Sequence, residues 1–159
     1  MERSRAFRAI LTGGLIAGVL DITAAIVTTL LRGGRPAQML QSIASGVLGD
    51  VSYQGGPKTA ALGLMLHFVI ALGATAVFFG ASRWLGFLVR QAIISGLLYG
   101  VVVYFFMNLV VLPLSRVPFK VTFRPSGLII GLIVHMLCVG LPIALVVRRY
   151  SNEVSTVTR

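Results

Sequence analysis

The chain has 159 residues, is 57% hydrophobic and only 11% charged, and carries a formal net charge of +10; its mean hydropathy is +0.94. Water-soluble domains average roughly 45–50% apolar and about 25% charged residues, so a polar-shelled globule is excluded and lipid must solvate much of the surface. The positive charge is not a nucleic-acid footprint either, because Arg3, Arg5, Arg8, Arg32, Arg35, Arg83, Arg90, Arg116, Lys120, Arg124, Arg148 and Arg149 border apolar runs instead of forming a patch on a polar face. They are placed as headgroup anchors and topology signals, so the expected partners are the bilayer and its anionic headgroups, with no nucleic acid.

In chain order, the first apolar run covers 9–31, bracketed by Arg8 and Arg32. It has the ~20 residues needed to cross ~30 Å of hydrocarbon. MERSRAFR resembles the basic start of a signal peptide, but the run continues past Asp21 to Leu31, too long for one, and reads as a transmembrane helix. Pro36 then opens a short helix over about 36–49, where its missing N–H is not needed. Met39, Leu40, Ile43, Val47 and Leu48 fall on one side of it, and Gln38, Gln41, Ser42 and Ser45 on the other. This predicts an amphipathic helix in the membrane interface or folded over the bundle mouth. Tyr53-Gln54-Gly55-Gly56-Pro57 is a turn. The second span covers about 59–82 and is closed by Arg83-Trp84, the third about 91–113 and the fourth about 127–147, ended by Arg148-Arg149. Pro118 and Pro125 keep the intervening segment out of a helix, and 150–159 is a polar tail. No internal repeat or low-complexity tract stands out.

The fold class is therefore all-α, a single integral membrane domain over 1–159 built as a four-helix transmembrane bundle with a short interfacial helix. Four spans place both termini on one side. That side carries eight basic residues, counting Arg159, against six on the other, counting Lys58; the positive-inside rule then puts the termini in the cytoplasm.

Four polar residues interrupt the spans: Asp21, His67, Asn108 and His135. Polar groups at that depth are costly, so they pair, face the bundle interior or mark function. Gly14 and Gly18, Gly96 and Gly100, and Gly127 and Gly131 form three small-xxx-small pairs that allow close helix approach. Each polar residue shares a helix face with small residues, three, four or seven positions away, so all four are expected to point inward as a seam. Asp21 and His135 lie near mid-membrane, with His67 and Asn108 displaced toward the side of the 33–58 segment. Cys138 is the only cysteine, which excludes an intrachain disulfide and reads as a small buried hydrophobe.

These features favour a structural or accessory subunit of a membrane complex, with a protein partner or a homo-oligomer. The alternative is a proton- or ion-conducting small transporter or channel that uses Asp21, His67 and His135. A second alternative is a haem-binding bundle with the two histidines as axial ligands. No ligand-spacing motif supports a metal, no cofactor is expected, and neither Gly13-Gly14 nor Gly55-Gly56 is a nucleotide fingerprint. No nucleophile or paired-carboxylate motif supports an enzyme acting on lipid, and Tyr99, Tyr104 and Phe105-Phe106 read as packing and lipid contact.

The runs GLIAGVLD at 14–21, YQGG at 53–56, GLMLHF at 63–68, YGVVVYFFMNLVVLPLS at 99–115 and HMLCVGLPIAL at 135–145 together resemble a group of small four-span bacterial membrane proteins. The resemblance covers nearly the whole chain. It implies a bacterial inner-membrane location and assigns no functional residue.

Overall fold

The computed structural model describes residues 2–120, 123 and 125–152, and every regular element among them is helical. Helix α1 is Glu2–Leu31, α2 is Pro36–Leu48, α3 is Gly56–Trp84 and α4 is the single turn Phe87–Arg90. Helix α5 runs Ala92–Phe106, through a π-helical stretch Met107–Val111, to Leu112–Leu114. Helix α6 runs Pro125–Val134, a second π stretch His135–Gly140, then Leu141–Asn152. Four of these helices are long and apolar enough to cross a membrane: Ser4–Leu31, Gly56–Trp84, Ala92–Leu114 and Pro125–Ser151. The chain is a four-span bundle. Three of the spans outrun their apolar cores because a helix satisfies its own backbone, so it continues into the headgroup layer through Arg5, Arg8 and Arg83.

Helix α1 stops where Gly33 takes a positive φ of 72°. Gly34 N–H then donates to Thr29 O and Gly33 N–H to Leu30 O, both at 2.9 Å, satisfying carbonyls that the helix leaves open.

Helix α1 packs against both α3 and α6, and α6 packs against α5. Glycine sets the approach. A side chain at Gly14 would strike Leu72, and one at Gly18 would strike Phe68; one at Gly96 would meet Gly140 O and Leu141. Gly100 lies against the His135 backbone, Gly131 under the Tyr104 ring, and Gly140 against Gly96 and Gly100. Gly127 differs: nothing lies within 4 Å of a side chain placed there, so it makes no helix contact among the described residues. The reason is that the Pro125–Val134 half of α6 leans away from its neighbours and buries no residue.

The bundle is consequently a wedge. At the end where α1 begins and α6 finishes, Phe78, Ala92, Val139, Ile143, Ala144 and Val147 close into a tight core with Ala17. At the other end the helices part. Helices α3 and α5 touch mainly around Tyr99, whose hydroxyl donates to Ala74 O at 2.7 Å and whose ring meets Phe78 edge-on at 5.0 Å.

Two features add to the sequence reading. Helix α2 exists over the expected residues, but it buries Gln41, Ala44 and Ser45 and turns Val47 and Leu48 outward. The cause is the partner surface. Gln41 Nε2 donates to Gly56 O at 3.0 Å and Thr59 Oγ1 at 3.3 Å, and Gly63 lets the Leu40 carbonyl reach the α3 backbone. Gln41 and Ser45 thus face protein, Ile43 lies between the two sides, and Val47 and Leu48 face outward. A local likeness marks the crossing of α5 and α6: Ser95-Gly96-Leu97-Leu98-Tyr99-Gly100-Val101-Val102-Val103-Tyr104 is echoed by Ser126-Gly127-Leu128-Ile129-Ile130-Gly131-Leu132-Ile133-Val134-His135. The antiparallel crossing of α5 and α6 exchanges equivalent positions, with Gly100 on His135 and Gly131 on Tyr104, and the two rings meet edge-on at 5.2 Å.

Both π stretches end two residues before a proline. Leu112 N–H reaches back to Met107 O ahead of Pro113, and Leu141 N–H to Met136 O ahead of Pro142. Proline lacks a donor and crowds the carbonyl four residues earlier, and a wider turn relieves both faults.

Candidate functional site

Where the wedge begins to open, a cavity of about 200 Å³ is lined by Asp21 from α1, Ile43 from α2, His67 from α3, Met107 from α5 and His135 from α6. A second cavity of about 290 Å³ runs from the same Asp21 and His135 between α1 and α6, past Thr28 and Thr29, to Arg32. Asp21 and His135 thus stand on the wall between an inner chamber and a vestibule open at the end carrying the 33–58 segment. Each volume accommodates several waters, at roughly 30 Å³ apiece in the liquid.

The local geometry follows from helix spacing. Gly18 lets Phe68 and Ala71 of α3 press against α1 one turn before Asp21, and in that close approach His67 Nε2 lies 2.9 Å from Gly18 O. A carbonyl only accepts, so Nε2 carries the hydrogen and donates it. The other ring nitrogen, Nδ1, faces Asp21 Oδ2 at 3.9 Å, with the two side chains 12% and 20% exposed. Two protonation states fit: a carboxylate facing an imidazolium, or a carboxylic acid facing a neutral imidazole. They differ by the position of one proton.

His135 makes the corresponding bond within α6, donating from Nδ1 to Gly131 O at 2.9 Å. Its Nε2 is left as an acceptor when the ring is neutral, with no hydrogen-bond partner among the described residues. Thr28 and Thr29 donate their hydroxyl hydrogens to Ala24 O and Ala25 O, both at 2.7 Å. The vestibule wall therefore offers oxygen lone pairs.

The sequence reading places Asp21, His67, Asn108 and His135 in one seam. The structure brings Asp21, His67 and His135 to one cavity and leaves Asn108 aside. Its amide donates to Tyr104 O at 2.8 Å within α5, and Met107 lines the cavity in its place. Asn108 lies in the π stretch, where the extra residue breaks the 3.6-residue spacing on which the face assignment rests. Sequence reasoning also passed over Thr28 and Thr29. Seven and eight positions after Asp21, they lie on its face of α1, and that spacing was a usable signal.

Among the described residues no group of three or more His, Cys, Asp or Glu side chains forms a metal-holding cluster. A haem axial ligand needs an open ring nitrogen; His67 has Nε2 on Gly18 O and Nδ1 toward Asp21, so this geometry does not support the haem reading. No protein-family model matches the chain, and no curated protein or solved structure is significantly similar to it.

Proposed function

We propose that this protein handles protons in a bacterial cytoplasmic membrane, with Asp21, His67 and His135 as the groups that bind and pass them. The observation that carries this reading is a membrane-embedded carboxyl facing an imidazole nitrogen across 3.9 Å, on a cavity joined by shared walls to a vestibule at one end of the bundle. Carboxylate and imidazole exchange protons readily, and such chains inside membranes mark relays. Arg32 at the vestibule mouth repels metal cations, while protons move through water beside it. The tight core at the other end makes access one-sided, which fits a transporter that loads from one face better than an open pore. With the termini inside, the vestibule faces outward.

The test is proton flux into liposomes holding the purified protein and a pH-sensitive dye, driven by an imposed potential. Wild type is expected to acidify the lumen and Asp21→Asn to abolish the effect. Flux absent from wild type, or equal in the variant, overturns the reading.

A second reading is a subunit of a larger membrane complex. No span buries more than 28% of its apolar window inside the chain, and nothing among the described residues lies within 4 Å of a side chain placed at Gly80 on α3, so surface remains for partner helices. A stoichiometric partner recovered from native membranes in mild detergent would favour it.

A further inference from the structure

Between α3 and α5 lies a cleft of about 370 Å³ lined wholly by apolar side chains, glycine and Tyr99. It shares Ile70, Ala74, Val103 and Met107 with the chamber that holds Asp21, His67 and His135. These shared side chains form a wall between the polar groups and the cleft. Val77, Val102 and Phe106, on the outer rim of the cleft, are 64%, 59% and 55% exposed. The cleft has not closed, because α3 and α5 meet mainly at Tyr99. Among the described residues nothing lies within 4 Å of a side chain placed at Gly73, on its wall.

The chamber's chemistry selects what can enter. Both imidazoles spend one N–H on a backbone carbonyl, His67 on Gly18 O and His135 on Gly131 O. A cation placed between Asp21 and His67 supplies the charge and hydrogens that an imidazolium would otherwise supply, leaving the rings neutral and Asp21 ionised; the chamber then presents the carboxylate, His67 Nδ1 and His135 Nε2, all acceptors, and among the described residues no lysine or arginine lines it. The complement of three acceptors including one negative charge is a group with several donors and one positive charge, which is a primary ammonium. A carboxylate or phosphate head would face Asp21 as a like charge. A quaternary ammonium carries no N–H to donate. The vestibule has Arg32 at its mouth, which disfavours cations, whereas no charged side chain among the described residues lines the cleft.

We propose that cleft and chamber form one site for a long-chain primary amine, entering sideways from the bilayer with its chain along α3 and α5 and its ammonium on Asp21, His67 and His135. This assignment rests on the proton-handling reading, since the acceptors that take the ammonium are those that take a proton.

The experiment uses the full chain in lipid nanodiscs and a twelve-carbon primary amine with a diazirine on its tail, with crosslinks mapped by mass spectrometry. Labelling is expected at Ile70, Val103 or Met107, competed by dodecylamine and not by dodecanoate or dodecyltrimethylammonium. Asp21→Asn is expected to lower it by about tenfold or more, the effect of losing one charge-assisted hydrogen bond. Gly73→Leu, which fills the cleft where space is free, is expected to lower it equally while the variant keeps the wild-type melting temperature in detergent. Labelling spread over all lipid-facing surfaces, equal labelling of Asp21→Asn, or better competition by the quaternary amine overturns the proposal. Proton flux in wild type without cleft labelling sinks the amine site alone. Cleft labelling that needs Asp21, in a protein that passes no protons, sinks the proton reading and keeps the site.

Discussion

Single glycines in this chain carry very different weights, and the difference depends on what faces them. Gly140 sits where α6 crosses α5, and a methyl there would run into the backbone of Gly96 and Gly100. Backbone cannot rotate aside as a side chain can, so Gly140→Ala must push the helices apart. It is expected to cost about 1–3 kcal/mol, read from unfolding in mixed detergent micelles. Gly127 belongs to a pair with the same spacing, yet nothing lies within 4 Å of a side chain placed there. Gly127→Ala is expected to stay within about 0.5 kcal/mol of wild type in the same measurement. The sequence shows both residues as small positions on apolar helices and cannot separate them, because the distinction lies in where a neighbouring helix leans. Asp21, His67 and His135 could be picked out as costly polar groups at bilayer depth. Asn108 met the same criterion, yet it satisfies itself on Tyr104 O one turn back in its own helix.

At the level of elements, length and apolarity made the four spans legible, since crossing hydrocarbon leaves a helix almost no alternative. The orientation of α2 was not legible. An apolar stripe predicts burial in water, but here Val47 and Leu48 of that stripe face outward while Gln41 finds its partners at the start of α3. The π stretches were half legible: Pro113 and Pro142 announce a disturbed ladder, but not that five- and six-residue stretches absorb it. Pro142→Ala returns a donor to α6 and removes the ring from the carbonyl of Cys138. The expected result is a return of 135–140 to regular α-helix, seen as slower amide hydrogen exchange across that stretch. Unchanged exchange would mean that the His135 contacts with α5, and not the proline, hold the wide turn.

For the whole molecule, the proton-handling reading requires water to reach the polar groups from one end. Single cysteines in a Cys138→Ser background measure it directly. Thr28→Cys, on the vestibule wall, is expected to react with a membrane-impermeant maleimide added from the side of the 33–58 segment. Ile143→Cys, in the tight core, is expected to remain unlabelled from either side. In intact cells the same Thr28→Cys variant reports orientation, and labelling from outside matches termini in the cytoplasm. None of this asymmetry could be read along the chain. It arises because Ile143, Ala144 and Val147 pack at one end of α6 while the Pro125–Val134 end buries nothing.

The helix layout also bears on the surrounding lipid. At the vestibule end α2 adds a fifth helical body beside α3, whereas at the opposite end, among the described residues, the single turn α4 is the addition. An extra helix at one end asks more room of that leaflet than of the other. The two leaflets are therefore expected to be loaded unevenly, with the protein favouring membrane regions of matching curvature.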